Sequence, residues 1–211
     1  MRPIEILIDP VDADADGLAV AQAVAGSQAL TLNGALISGG VFTGDYARRI
    51  GILSAGNDAG ITFTILGTDP DGKALSEAVT GSAAAPGTAT STGYFKTVSS
   101  VTSSGAAAGN VSVGTVDELS TPTIPLNTYN SDPATVSLED FTGTINVSVK
   151  QTFSRIQYTD SIQFTDGPTS LTNEISASVN ELNDHASGLR LIVNSYTSGA
   201  DLKMIINQNA C

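Results

Sequence analysis

Between Ala47 and Thr115 the chain breaks into short β-type runs, and nearly every break carries turn chemistry. Ile61-Thr-Phe-Thr-Ile65 alternates, placing Ile61, Phe63 and Ile65 on one face and Thr62 and Thr64 on the other, the period of a half-buried strand. It leads into Asp69-Pro-Asp-Gly72, where proline presets φ and glycine supplies a left-handed position, so the chain reverses there and returns as Lys73–Thr80. Arg48–Ser54 precedes this hairpin, and Tyr94–Val98, Val101–Ser104 and Val111–Thr115 follow as further edges. Strands recurring about every eight to twelve residues with turns between them predict a sandwich or barrel.

The flanking sequence extends the pattern. Pro3–Asp9 reads as a strand and Asp12–Asp16 as an acidic turn. Leu18–Ala25 is rich in alanine, but its β-like neighbours favour an extended strand. In Ala29–Ile37, Asn33-Gly34 sits between two apolar runs, the strongest short signal for a tight hairpin. A boundary falls across Val116–Pro125, and Pro122, Pro125 and Pro133 suit an extended connection or a lid. Beyond it, Gly143–Phe153 gives the cleanest alternation: Ile145, Val147, Val149 and Phe153 face one way, and Thr144, Asn146, Ser148, Lys150 and Thr152 the other. Ile156–Tyr158, Ile162–Phe164 and Ile175–Val179 follow as strands, and Leu189–Tyr196 is expected to turn through Thr197-Ser-Gly199 and pair with Asp201–Asn207 as a last hairpin. The fold expected is all-β, with two β-sandwich domains of immunoglobulin-like or jelly-roll-like type, residues 1–120 and 121–211. The two halves share no convincing internal repeat.

Composition narrows the function. Charged residues make up 14% of the 211 residues, against about a quarter in ordinary soluble domains, and hydroxyl and small residues take their place. A hydrophobic fraction of 41% argues against disorder. With nine basic residues and a net charge of −12, the chain has little with which to neutralise phosphates, so no direct contact with nucleic acid is expected. The start, MRPIEILIDP, lacks the apolar stretch of a signal peptide and no later run approaches a membrane span, which places the expected synthesis in a cytoplasm-like compartment. The single cysteine, Cys211, permits no disulfide within the chain; it reads as an incidental thiol, with a bridge between chains as its sharper role.

Each candidate for chemistry meets a plainer reading. Asp12-Ala-Asp14-Ala-Asp16-Gly17 copies the start of a calcium loop, but the twelfth position is Ala23 where a bidentate glutamate belongs; Asp12, Asp14 and Asp16 remain a weak cation candidate beside the reading of an acidic turn. His185, the one histidine, lies in Asn183-Asp184-His185-Ala-Ser187, too compressed in sequence to align base, orienter and nucleophile. Glu139-Asp140 and the pair Asp69 and Asp71 lack the aromatic groove of a glycosidase, in a chain without tryptophan. Gly105–Gly109 has no following GK[ST] and no helix start, so it is not a phosphate loop. Tyr94-Phe95, Phe153, Tyr158 and Phe164 read as packing residues, while Tyr129 and Tyr196, beside turns, are candidates for anchors in a subunit interface. No catalytic residue and no cofactor are expected.

The stretches ARRIGILSAGNDAGITFTILGTDPDGKALSEAVTG and TATSTGYFKTVSSVTSSGAAAGNVSVGT, with ALTLNGALISG before them, resemble a recurrent β-sandwich module of tailed-bacteriophage virion proteins. The resemblance covers residues 28–115, and DFTGTINVSVKQTF and LRLIVNSYTSGADLKMIINQ are more loosely similar to an accessory half found beside that module. It implies a non-enzymatic structural component of a virion, assembled in the host bacterial cytoplasm, with capsid decoration or stabilisation first and a neck, collar or tail position second. The implied partners are other virion proteins (major capsid, portal, neck or tail) and further copies of the chain, with no membrane. A receptor- or carbohydrate-binding module is the competing class; the missing tryptophan weighs against it.

Overall fold

The computed structural model describes residues 3–127, 134–154, 162–168, 171–182 and 185–208. Tyr129, Tyr158, Asp184, Cys211 and the strand expected at Ile156–Tyr158 lie outside them. The fold is all-β, with large antiparallel sheets, and divides into two compact units, residues 13–119 and residues 1–12 joined with 120–211. Residues 1–12 are expected within the first domain, 1–120. They belong with the second because strand β1 (Ile4–Ile8) pairs antiparallel with β17 (Asp201–Asn207), from Ile4 opposite Ile206 to Ile8 opposite Leu202.

The 13–119 unit holds β2 (Ala19–Gln22), β3 (Gln28–Ala29), β4 (Ile37–Ser38), β5 (Val41–Ser54), β6 (Thr62–Thr68), β7 (Ala74–Thr80), β8 (Gly87–Thr90), β9 (Phe95–Ser103) and most of β10 (Val111–Ser120). Its sheet runs in the order β10-β5-β9-β6-β7, with β2 on β10, β3 on β9, and β4 and β8 on β5. β5 is the long member. It pairs with β9 from Phe42 to Arg48 and with β8 from Gly51 to Ser54, after a register shift between Thr43 and Arg48. The alternation of Ile61–Ile65 does its expected work, since Phe63 and Ile65 are fully buried with Phe42, Ile50, Ile52, Phe95, Val98, Val101, Val111 and Val113. Each such large apolar side chain contributes about 1.5–3 kcal/mol by leaving water. Tyr94–Val98 and Val101–Ser104 are not separate edges: they form β9, an interior strand between β5 and β6.

Two turns show what glycine is for. At Asp69–Gly72, Gly72 has φ 79° and its amide donates to the Asp69 carbonyl at 3.0 Å, as the turn chemistry predicts. Asn33-Gly34 behaves otherwise. The tight reversal falls at Gly39-Gly40, both with positive φ, between Ile37-Ser38 and Val41-Phe42. Gly34 instead lets two backbones touch: a Cβ there would lie 2.3 Å from the carbonyl carbon and oxygen of Gly17. The amides of Gly34 and Leu36 donate to the carbonyls of Leu18 and Gly17, and Asn33 Oδ1 accepts from the Val20 amide.

The other unit holds β1, β11 (Ile124–Pro125), β12 (Thr135–Thr142), β13 (Ile145–Thr152), β14 (Thr165–Asp166), β15 (Ser178–Glu181), β16 (Gly188–Tyr196) and β17. One sheet runs β1-β17-β12-β15; β14-β13-β16, with β11 on β16, belongs to the other. Ile8, Val136, Leu138, Leu202, Met204 and Ile206 are buried from the first sheet, and Ile145, Val147, Val149, Leu189, Leu191 and Val193 from the second. Thr197-Ser-Gly199 does turn the chain, with Gly199 at φ 68°, but β16 and β17 are not a hairpin. The chain arches from one sheet to the other. β12 and β13 make the same crossing through Gly143, and the two arches are tied by the Thr197 amide donating to the Thr144 carbonyl at 2.9 Å. Phe153, expected inside, is 50% exposed because β13 ends at Thr152 and the alternation stops with it.

Candidate functional site

The residues of SAGND run from Ser54, the last residue of β5, to Asp58 and form a corner that closes on the loop Gly105–Gly109. Asp58 is 1% exposed. Its Oδ2 accepts the Ser54 hydroxyl at 2.5 Å and its Oδ1 accepts the Ala108 amide at 2.6 Å. The Gly56 amide donates back to Ser54 Oγ at 3.1 Å. The corner has no room for side chains: a Cβ on Gly56 would lie 2.6 Å from the Ala108 carbonyl carbon, and one on Gly109 would lie 2.7 Å from the Gly56 nitrogen. A buried carboxylate must be hydrogen-bonded to be tolerated, and here both oxygens are taken by the protein's own donors.

The arginines of the same segment are used in the same way. Arg48, 2% exposed, forks onto Asp45, with Nε to Oδ1 at 3.0 Å and Nη2 to Oδ2 at 2.9 Å. Arg49 pairs with Glu118 through Nη1 and donates from Nε to the Ser91 carbonyl. Glu77 on β7 holds the loop at Thr92 and Gly93, accepting from both amides and the Thr92 hydroxyl. What this arrangement does chemically is hold loops in register. Nothing local in the sequence marks Asp45, Asp58 and Glu77 as clamps, because the amides, hydroxyls and arginine that they hold are brought to them by the fold.

The residues singled out from sequence fall as follows. Asp12 is exposed, with Oδ2 accepting from Ser198 Oγ at 2.8 Å; Asp14 Oδ1 accepts the Asp16 amide, and the Asp14 carbonyl accepts the Thr115 amide. Among the described residues no group of three or more His, Cys, Asp or Glu side chains is placed to hold a metal ion. Tyr196 is not available as an interface anchor: it is 7% exposed, and its hydroxyl donates to the Val11 carbonyl at 2.6 Å. A tyrosine beside a turn can point either way, and this one fastens residues 11–12 to the end of β16.

His185 is exposed, while the Ser187 hydroxyl donates to the carbonyls of Thr152 and Ser154. Asp140, at φ 53°, pairs with Lys203 at 2.9 Å, and Glu139 accepts the Ser137 hydroxyl. Asp69 Oδ1 caps its own turn, accepting the amides of Asp71 and Lys73. Of the aromatic residues expected to pack, Phe95 is fully buried and Phe164 lies half-buried with the Arg190 guanidinium 4.3 Å from its ring centroid. No family model, curated protein or solved structure matches the chain. No helix among the described residues is long and apolar enough to cross a membrane.

Proposed function

We propose that this chain is a non-enzymatic structural component of a tailed-bacteriophage virion that acts through contacts with other virion proteins, with capsid decoration or stabilisation as its foremost role. One observation carries the reading: Arg48, Asp58 and Glu77, charged residues within the stretch that resembles virion modules, are spent on the module's own side chains and loops. Asp58 clamps the loop at Ala108, Arg48 forks onto Asp45 and Glu77 holds Thr92 and Gly93. A module built this way offers a stiff body and hydroxyl-rich surface, which is what a packing and docking component needs. The net charge of −12 supports docking against protein rather than against the genome.

The test is gold-labelled antibody and copy-number measurement on purified particles from a host expressing the phage genome that carries this gene. Label over the shell, with copies in the hundreds, supports decoration. A ring of about six or twelve copies at the portal axis moves the protein to the neck or tail. Absence from purified particles overturns the virion reading, and strong specific binding on a glycan array replaces it with a receptor-binding module.

A further inference from the structure

We propose that strand β7 is the surface through which two copies of this chain associate, its edge pairing antiparallel with the same edge of a second copy about a twofold axis at Glu77. β7 ends its sheet and, among the described strands, pairs with β6 alone. The register assigns each backbone group. At the two ends of the ladder the Gly81 amide donates to the Ile61 carbonyl and the Asp69 amide to the Lys73 carbonyl. Antiparallel bonding alternates, so Leu75, Glu77 and Val79 exchange bonds with β6. Ala74, Ser76, Ala78 and Thr80 therefore turn their N–H and C=O groups to the open side, where no described strand pairs with them, and all four are exposed.

Proteins guard such edges with short strands, lysine, proline, bulges or a covering loop. β7 has none of these: its seven pairs with β6 run without a register shift, and residues 74–80 contain no proline and no basic residue. The other terminal strands differ. β1 carries the exposed Glu5 between Pro3 and Pro10, β14 has two residues and β15 four. The one charge within β7, Glu77, is turned aside onto Thr92 and Gly93, with contacts of 2.6 to 2.9 Å.

A second copy is the occupant that the edge fits. With the axis at Glu77, Ser76 stands opposite Ala78 and Ala74 opposite Thr80 of the other copy, so all four open residues exchange bonds and their own side chains are small and uncharged, while Leu75 stands opposite Val79. The two Glu77 residues meet across the axis, but each carboxylate already has its own three donors. Recognition of a foreign strand depends on pockets for alternate side chains, and a row of Ala, Ser, Ala and Thr provides none; self-complementarity about a twofold needs none. The inference rests on this edge and not on the virion reading.

The full chain is measured by size exclusion with light scattering from micromolar to millimolar concentration, beside Ala78→Pro and Ser76→Lys. The Ala78 amide points to the open side, so proline there removes no bond to β6. The expected result is a dimer for the parent and a monomer for Ala78→Pro, with slow hydrogen exchange at the Ser76 and Ala78 amides in the dimer and fast exchange at Ser76 in the variant. Ser76→Lys leaves the backbone intact and is expected to give a monomer too, which keeps the test decisive if the proline variant does not fold. A parent that stays monomeric, or a dimer mass retained by a folded variant, overturns the proposal and leaves the virion reading standing.

Discussion

Asp58 and Ala108, fifty residues apart in sequence, are joined by a 2.6 Å hydrogen bond from the Ala108 amide to the Asp58 carboxylate. That bond closes the corner after β5 onto the loop before β10, and the same carboxylate takes the Ser54 hydroxyl. Asp58→Ala leaves the buried Ser54 hydroxyl and the Ala108 amide without their acceptor, and the expected loss is about 1–3 kcal/mol in urea unfolding. Asp58→Asn keeps an acceptor for the Ala108 amide and is expected to lose less. A loss for the alanine variant no larger than that for the asparagine variant would show that the clamp contributes nothing.

Gly34 and Gly39 separate two uses of glycine. Gly39 has φ 60° and open space around it, so Gly39→Ala is expected to cost about 1–2 kcal/mol, the strain of a left-handed alanine. Gly34→Ala drives a methyl group into the Gly17 backbone and is expected to cost about 3 kcal/mol or more. Denaturant midpoints of the two variants give the ordering. If Gly39→Ala proves the costlier, Gly34 is not the point of close contact.

The difference between those glycines explains how much of the fold can be read in sequence. The turn Asp69–Gly72 is legible because everything that decides it lies within four residues: a proline, a capping aspartate and a glycine. Asn33-Gly34 carries equally strong local chemistry, but the deciding contact is with Gly17, which no local pattern reports. Thr197-Ser-Gly199 is legible as a turn and not as an arch, because a left-handed glycine reverses the chain without saying which sheet receives it. The same limit hides the Asp58 clamp. Its acceptor belongs to a motif whose partner is a backbone amide, and an alanine's amide leaves no mark in the sequence.

Tyr196 offers a direct separation of internal from external roles. Tyr196→Phe removes the hydroxyl that donates to the Val11 carbonyl, and the expected loss is about 1 kcal/mol in thermal or urea unfolding. Its oligomeric mass is expected to equal that of the parent. A change of mass with unchanged stability would return Tyr196 to the outside of the protein.

Lys203 gives the fold an alkaline dependence. Its ammonium group is held above the ordinary 10.5, first by its hydrogen bond with Asp140 and then by the charge of Asp140, with Glu5 and Glu139 adding and desolvation opposing. The folded state thus binds this proton more tightly than the unfolded chain. The stabilisation is fully present below the ordinary lysine value and is lost as the pH rises through the raised one. Urea midpoints of the parent and of Lys203→Met, followed from neutral pH into the alkaline range, are expected to converge as the lysine deprotonates. A separation that stays constant above 10.5 would rule out this pairing as the cause.

The pairing of β1 with β17 joins two strands that flank residues 13–119 in the chain. A ribosome delivers these two strands well apart in time. Ile4–Ile8 emerges before residues 13–119 and must wait, its sheet unfinished, while they are synthesised and free to collapse on their own. Domains generally fold as they appear, so the inserted unit is complete before the one that surrounds it can begin to close. Until translation reaches Asp201–Asn207, the alternating apolar residues of β1 have no ladder to join. β17 is thus a latch, and a transcript cut short before it yields a finished unit over residues 13–119 and a second one left unsealed.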